Sequence, residues 1–219
     1  MGSCRISQGV QGVKSTRSTE CCVIIDVLRA SSTVITALAH GFQEIRTVTT
    51  IRDALRLRKE GYILAGERKG ITLPGFDLGN SPVEVARAVR KHTLRNMVLT
   101  TSNLTRALAS CKSAYICSSL NITAVSKHIS GKPTNIVAIG GSHGIVEDLG
   151  VALALAMLIK GMKVGRSLIE KMIIQSPAAE HLVSIGFKSD VKFITAVDKY
   201  DIVPIYKRGK VKIVDCEWG

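Results

Sequence analysis

Along the chain, short apolar runs alternate with longer stretches in which apolar positions recur every three or four residues. Residues 21–26 (CCVIID) form a continuous apolar run closed by an acid, the pattern of a strand buried on both faces. Residues 31–39 follow as a helix stopped at Gly41. A strand is predicted at 44–48 and an amphipathic helix at 51–59, with arginines on its outer face. Residues 62–65 read as a short strand. The next stretch, residues 66–82 (GERKGITLPGFDLGNSP), has no apolar period and reads as a long loop, ordered because Phe76 and Leu78 can anchor it. Connections of that length are usually functional when ordered.

A helix resumes over 83–91, with Ser81 as its cap and Pro82 in its first position. Strands at 97–101 and 114–117 lead into helices starting at Thr105 and Asn121. A further strand at 135–139 leads through GGSHG into a helix over 146–158. This repeated order of strand, polar turn and helix predicts an α/β fold with three α/β/α layers around a mixed, largely parallel sheet. The antiparallel share is expected from the last third. There, residues 167–173 and 178–185 look helical, but 192–196, 202–206 and 211–215 are short β-type runs, with Lys-Arg-Gly turning between the last two. No repeat or linker divides residues 1–219, so one domain is expected, with 1–20 either poorly ordered or an edge segment.

Of the 219 residues, 46% are apolar and 21% charged, which excludes a disordered or collagen-like chain. The longest apolar or small stretch, 149–159, is shorter than the roughly 18 residues of a membrane span, and no signal-peptide core is present. The expected location is therefore the cytoplasm. Six cysteines (4, 21, 22, 111, 117 and 216) include no C-x-x-C pair, so reduced thiols are expected rather than zinc or a redox dithiol.

Charge adds a further constraint. Thirty Lys and Arg against 17 Asp and Glu give +13, and no acid falls between Glu84 and Glu147, where Arg87, Arg90, Lys91, Arg95, Arg106, Lys112, Lys127 and Lys132 lie. Such a field suits nucleic acid or a small polyanion. Aromatic residues make up only 4%, with no stripe on which bases could stack, so nucleic acid is disfavoured.

Four clusters carry candidate chemistry. Asp26 ends a buried strand, where α/β sheets place ligands, and Arg29, Ser31, Ser32 and Thr33 follow at a helix start. The loop holds Glu67, Arg68, Asp77, Asn80 and Ser81. Thr101, Asn103, Thr105 and Arg106 form a second oxyanion cradle at a strand end. Glu147 and Asp148 follow the Gly-rich turn that carries His143. Helix capping is the ordinary alternative for most of these hydroxyls and amides.

Taken in chain order, these stretches resemble one family. Asp26-x-x-Arg29-Ala30-Ser31-x-Thr33, the GE at Gly66, PGFDLGNSP from Pro74, the TT and TRA around Thr101 and Arg106, and Glu147-Asp148 are similar to the 2-phosphosulfolactate phosphatase family. The resemblance runs from about residue 21 to the C-terminus. It implies an α/β hydrolase that uses Mg²⁺ to remove phosphate from 2-phosphosulfolactate on the way to coenzyme M. In one departure, Ser102-Asn103-Leu104 stands where Thr-Asn-Gly is the family pattern.

On this reading Asp26, Glu67 and Asp148 are catalytic, and Asp26, Asp77 and Glu147 hold the metal. The substrate-binding set is Arg29, Ser31, Ser32, Thr33, Arg68, Asn80, Ser81, Thr101, Asn103, Thr105 and Arg106. Attack by water is ranked ahead of attack by Asp26 because D-x-D-x-T is absent. The expected partner is a small polyanionic phosphoester, with a homodimer left open. Two alternatives stand: a phosphatase of another small acidic phosphoester, and a non-catalytic binder of anions or nucleic acid.

Overall fold

The computed structural model describes residues 2–88 and 96–214. The continuous apolar runs become the most deeply buried strands. β2 (Cys21–Ile25) and β8 (Thr134–Ala138) pair in parallel and are covered on both faces. β1 (Cys4–Gln8) lies outside β8 as an edge strand and is followed by α1 (Gly9–Lys14), so the N-terminal segment is an ordered edge. β7 (Ser113–Cys117) pairs in parallel with β2 on its other side and completes a first block, β1-β8-β2-β7.

The second block is β3 (Glu44–Thr47), β6 (Asn96–Thr100) and β4 (Ile63–Arg68), all parallel to one another. The short β5 (Ile71–Thr72) folds back on β4. Between the blocks lies a hairpin of β9 (Pro204–Lys207) and β10 (Lys210–Ile213), antiparallel to β7 on one side and to β3 on the other. Its two central residues, Arg208 and Gly209, have φ of 49° and 81°. Positive φ at both positions is the tight turn whose twist suits a two-residue hairpin. The expected antiparallel strands are thus present, and they form the middle of a ten-stranded sheet.

Three antiparallel pairings between β7 and β3 mean that the two parallel blocks run in opposite senses. Their C-terminal ends nevertheless meet. A right-twisted sheet turns about 20–25° per strand, and six steps from β2 to β4 swing the second block most of the way round. The concave side so formed encloses α2 (Ala30–Ala39), buried from Ala30 through Leu38. Ile24 and Ile116 from the first block and Ile45, Met97 and Leu99 from the second share one apolar core with Val34, Ile35 and Leu38 of this helix. α4 (Pro82–Ala88) and α5 (Leu104–Leu108) close that side.

On the opposite side, α6 (Ile122–His128), α7 (Val146–Ile159) and α8 (Arg166–Ile174) cover the first block, and α3 (Ile51–Arg58) covers the second. The result is a three-layer α/β/α fold with a mixed, largely parallel sheet. Among the described residues no helix is long and apolar enough to cross a membrane.

Two expectations are corrected. Residues 192–196 are not a strand: α10 (Lys188–Ile194), preceded by α9 (Pro177–Ser184), ends there with Val191 and Ile194 buried one helical turn apart. Five residues are too few to separate period 2 from period 3.6. Nor is 66–82 all loop. β4 continues through Arg68 and turns at Lys69 and Gly70 into β5, because Glu67 Oε2 accepts the Gly70 N–H at 2.8 Å. The expected ends of the 83–91 helix and the 211–215 run, with Arg90, Lys91, Arg95 and Cys216, lie outside the described residues.

Ile35 is fully buried at the centre of the shared core. Ile35→Ala is expected to lower the unfolding free energy by about 2–5 kcal/mol, measured by urea denaturation. A loss below about 1 kcal/mol would show that the two blocks do not close on this helix.

Candidate active site

One cavity opens where the C-terminal ends of β2, β4, β6 and β8 converge. Asp26 follows β2 directly, and Glu67 lies near the end of β4. Ser102 and Asn103 follow β6, and the turn from Gly140 to Gly144 follows β8. The first turn of α7 adds Glu147 and Asp148, and α9 supplies His181. The site is therefore built from strand ends, where loops leave backbone groups free to meet a ligand.

Asp26, Glu67, Glu147 and Asp148 are all buried. Backbone amides fix three of them. Asp26 Oδ1 accepts the Ala30 N–H at 3.1 Å, at the start of α2. Asp148 accepts Val27 N–H at 2.7 Å and Gly140 N–H at 2.8 Å, tying the ends of β2 and β8 together. Glu67 accepts Ser102 N–H at 2.7 Å as well as Gly70 N–H, joining the ends of β4 and β6. Glu147 differs, since its Oε2 is buried without a hydrogen-bond partner, as is Asn80 Oδ1 on the same cavity.

Burial acts on Asp26, Glu147 and Asp148 in one direction. Burial, then the charges of Glu67 and Glu147, push the Asp26 carboxyl up to about 7 despite the Ala30 N–H and Arg29. Asp148 is raised well above the usual carboxylate range by burial and by Asp26 and Glu147. Burial also raises Glu147. A group of like charges in a low dielectric holds protons unless a cation replaces them.

Arg29 lines the cavity, and its guanidinium is already committed. It meets Asp190 Oδ2 at 2.7 Å with both side chains almost wholly buried, donates to Gly70 O at 2.8 Å, and lies 3.9 Å over the Phe187 ring. Asp190 Oδ1 accepts the Ser81 hydroxyl at 2.6 Å. Asp190, on α10, is thus a positioning residue absent from the sequence-level set. His181 is absent from it too. Its ring stacks on that of His143, centroids 3.7 Å apart and planes 17° from parallel.

Several expected site residues lie elsewhere. Asp77 does not reach the cavity: its carboxylate accepts Leu64 N–H at 2.8 Å and faces Arg58 at 3.4 Å, fastening the loop to β4. Arg68, one residue beyond Glu67 on a strand, turns away to Thr100 Oγ1 at 3.1 Å and to the Glu67 carbonyl. Arg106 is exposed on α5, opposite the buried Leu104, Ala107 and Leu108.

The hydroxyls serve the backbone instead. Ser31 Oγ accepts Asp26 N–H, Ser32 donates to Val27 O, and Thr101 and Thr105 cap each other. Thr33 Oγ1 is buried and unpaired, away from the cavity lining. Leu104, the departure from the family pattern, is fully buried in the core and leaves the cavity lining to Ser102 and Asn103.

Acids gathered at strand ends of an α/β sheet, beside a fixed arginine, mark the ligand site of an α/β enzyme. The chain belongs to the 2-phosphosulpholactate phosphatase family, matching it over residues 9–209. Among its relatives is the 2-phosphosulfolactate phosphatase of Methanothermobacter thermautotrophicus, 33% identical over 209 residues, 89% of this chain and 90% of that one. A chain of Pseudothermotoga lettingae named "Probable 2-phosphosulfolactate phosphatase" is 35% identical over 202 residues, 84% of this chain and 88% of the other. One of the same name from Thermotoga petrophila is 35% identical over 204 residues, 85% of this chain and 89% of the other.

Two outcomes follow from this geometry. Asp190→Ala leaves the buried Arg29 charge uncompensated and is expected to lower stability by about 3–5 kcal/mol, read by urea denaturation; a change near zero would refute the pairing. Asp26 carries the second. Its carboxyl titrates near 7 in the fold and near about 3.9 when unfolded, so between these values the folded state binds the extra proton.

The Asp26 contribution to stability therefore falls as pH rises from about 4 to about 7 and then levels. Asp26→Asn should raise the thermal midpoint at pH 8, each 1 kcal/mol gained being worth about 2–4 °C. A variant less stable than wild type at pH 8 contradicts the argument.

Proposed function

We propose that the chain hydrolyses 2-phosphosulfolactate to sulfolactate and phosphate with Mg²⁺, a step of the coenzyme M type. The observation that carries this reading is the set of four buried carboxylates on one cavity, in a chain of this family. The acids repel an anionic substrate unless a cation stands between them. Glu147 Oε2 and Asn80 Oδ1 are unpaired oxygens that suit a hard cation, and both residues line the cavity with Asp26.

Among the described residues no three His, Cys, Asp or Glu side chains form a complete metal cage. Mg²⁺ needs none, because it takes one or two carboxylates and leaves its other positions to water and phosphate. Glu147, with Asn80, would hold it. When bound, it would offset the acids' charge and polarise the phosphoryl oxygens.

The residues then divide the work. Asp26, with a carboxyl that titrates near 7, takes the proton of the attacking water, since a base works best when its affinity for protons matches the ambient pH. A protonated Asp148 carboxyl returns a proton to the departing sulfolactate oxygen. Glu67 holds the ends of β4 and β6 in register around the ligand. Arg29, locked by Asp190, faces the anion from a fixed position, so no side-chain freedom is lost on binding.

Phosphate release from 2-phosphosulfolactate should stop on chelation and return with Mg²⁺. Asp26→Asn should lower kcat by about 10²-fold or more, with folding confirmed by circular dichroism. Full turnover in chelator, or in the folded variant, would defeat the reading.

A further inference from the structure

We propose that Lys69, His143 and His181 form a second anion subsite, which holds the sulfonate of the substrate and so selects sulfonated over plain phosphoesters. The inference rests on the reading above and adds the part of the cavity that does not act on phosphorus. The basic side chains among the described residues that line the cavity are Arg29, Lys69, His143 and His181. Arg29 is neutralised by Asp190 and also donates to Gly70 O. Arg68 and Arg106 do not line it. N–H donors for any further acid group must therefore come from the other three, with Lys69 carrying the charge.

These three reach the cavity from separate elements. Lys69 stands in the β4–β5 turn with φ of 54°, a left-handed conformation held by the bond from Gly70 N–H to Glu67. His143 is carried on the Gly140–Gly144 turn, closed on itself by paired bonds between Gly141 and Gly144. His181 comes from α9. The two imidazoles touch face to face, which leaves their nitrogen-bearing edges for hydrogen bonds, and among the described residues no ring nitrogen of either has a partner. Lys69 likewise has no ion pair among the described residues.

The chemistry of the ligand matches. A sulfonate stays singly charged at any ordinary pH and is a poor ligand for a hard cation, so the acid cluster cannot serve it. Three oxygens with diffuse charge are instead suited to several N–H donors arranged around them. Burial, with His143 and Arg29 nearby, makes the His181 imidazole harder to protonate in the free protein. A bound anion reverses that bias.

Calorimetric titration of the full chain with sulfolactate and with lactate, in Mg²⁺, tests the subsite without requiring turnover. Wild type should bind sulfolactate at least about tenfold more tightly than lactate, equivalent to about 1.4 kcal/mol. Lys69→Asn, which tolerates the left-handed turn, His143→Asn and His181→Asn should each cut that preference to about threefold or less. Equal affinity in wild type, or a preference that survives all three changes, overturns the subsite. Weakening of both ligands in parallel also overturns it, since that marks a merely structural role.

Phosphate release separates this inference from the one it rests on. A chain that prefers sulfolactate yet releases no phosphate keeps the subsite and loses the phosphatase reading. One that hydrolyses 2-phosphosulfolactate and 2-phospholactate equally well does the opposite.

Discussion

The organising constraint is electrostatic: four acids are held side by side, out of water, on one wall of a cavity. Nothing in the packing favours this. Burial disfavours the charges of Asp26, Glu147 and Asp148, and neighbouring acids make Asp26 and Asp148 harder still to ionise. The arrangement persists because five backbone amides from four segments grip Asp26, Glu67 and Asp148. Those same bonds draw four strand ends together, so the feature that strains the protein electrostatically also shapes its binding site. Stability at neutral pH is lowered where these acids are gathered, as is common at functional sites.

The second determinant is the polarity of the sheet. Two parallel blocks of opposite sense would put their C-terminal ends on opposite edges if the sheet were flat. Twist brings them round, and α2 fills the concavity that results. Asp26 belongs to one block and Glu67 to the other, so the site exists only when both have closed on the same helix. The C-terminal helices complete it, because Asp190 reaches back across 161 residues to fix Arg29.

Much of this was legible in the sequence because it is local. Continuous apolar runs mark the parallel strands, and an acid directly after such a run marks a strand-end site, as at Asp26. Even the direction of Arg68 follows from strand alternation once Glu67 faces the cavity, and that of Arg106 from the buried i, i+3 and i+4 face of its helix. What was not legible depends on distance. No pattern near Asp190 or His181 reports that α9 and α10 return to the mouth of β2. A five-residue apolar segment such as 192–196 fits strand or helix equally until its neighbours decide. The hydroxyls at 31–33, 101 and 105 were ambiguous between ligand and cap, and backbone bonding claims most of them.

The hairpin at the middle of the sheet bears on how the chain matures. Its strands, 204–213, are the last of the described strands to leave the ribosome, yet they join two blocks whose strands are made long before. Until they arrive, β7 and β3 each present a bare edge, the kind of surface through which nascent chains stick to one another. Assembly therefore waits for this hairpin and is dominated by partners remote in sequence, which makes it slow. Yield in the cell should depend on chaperones that shield those two edges during synthesis.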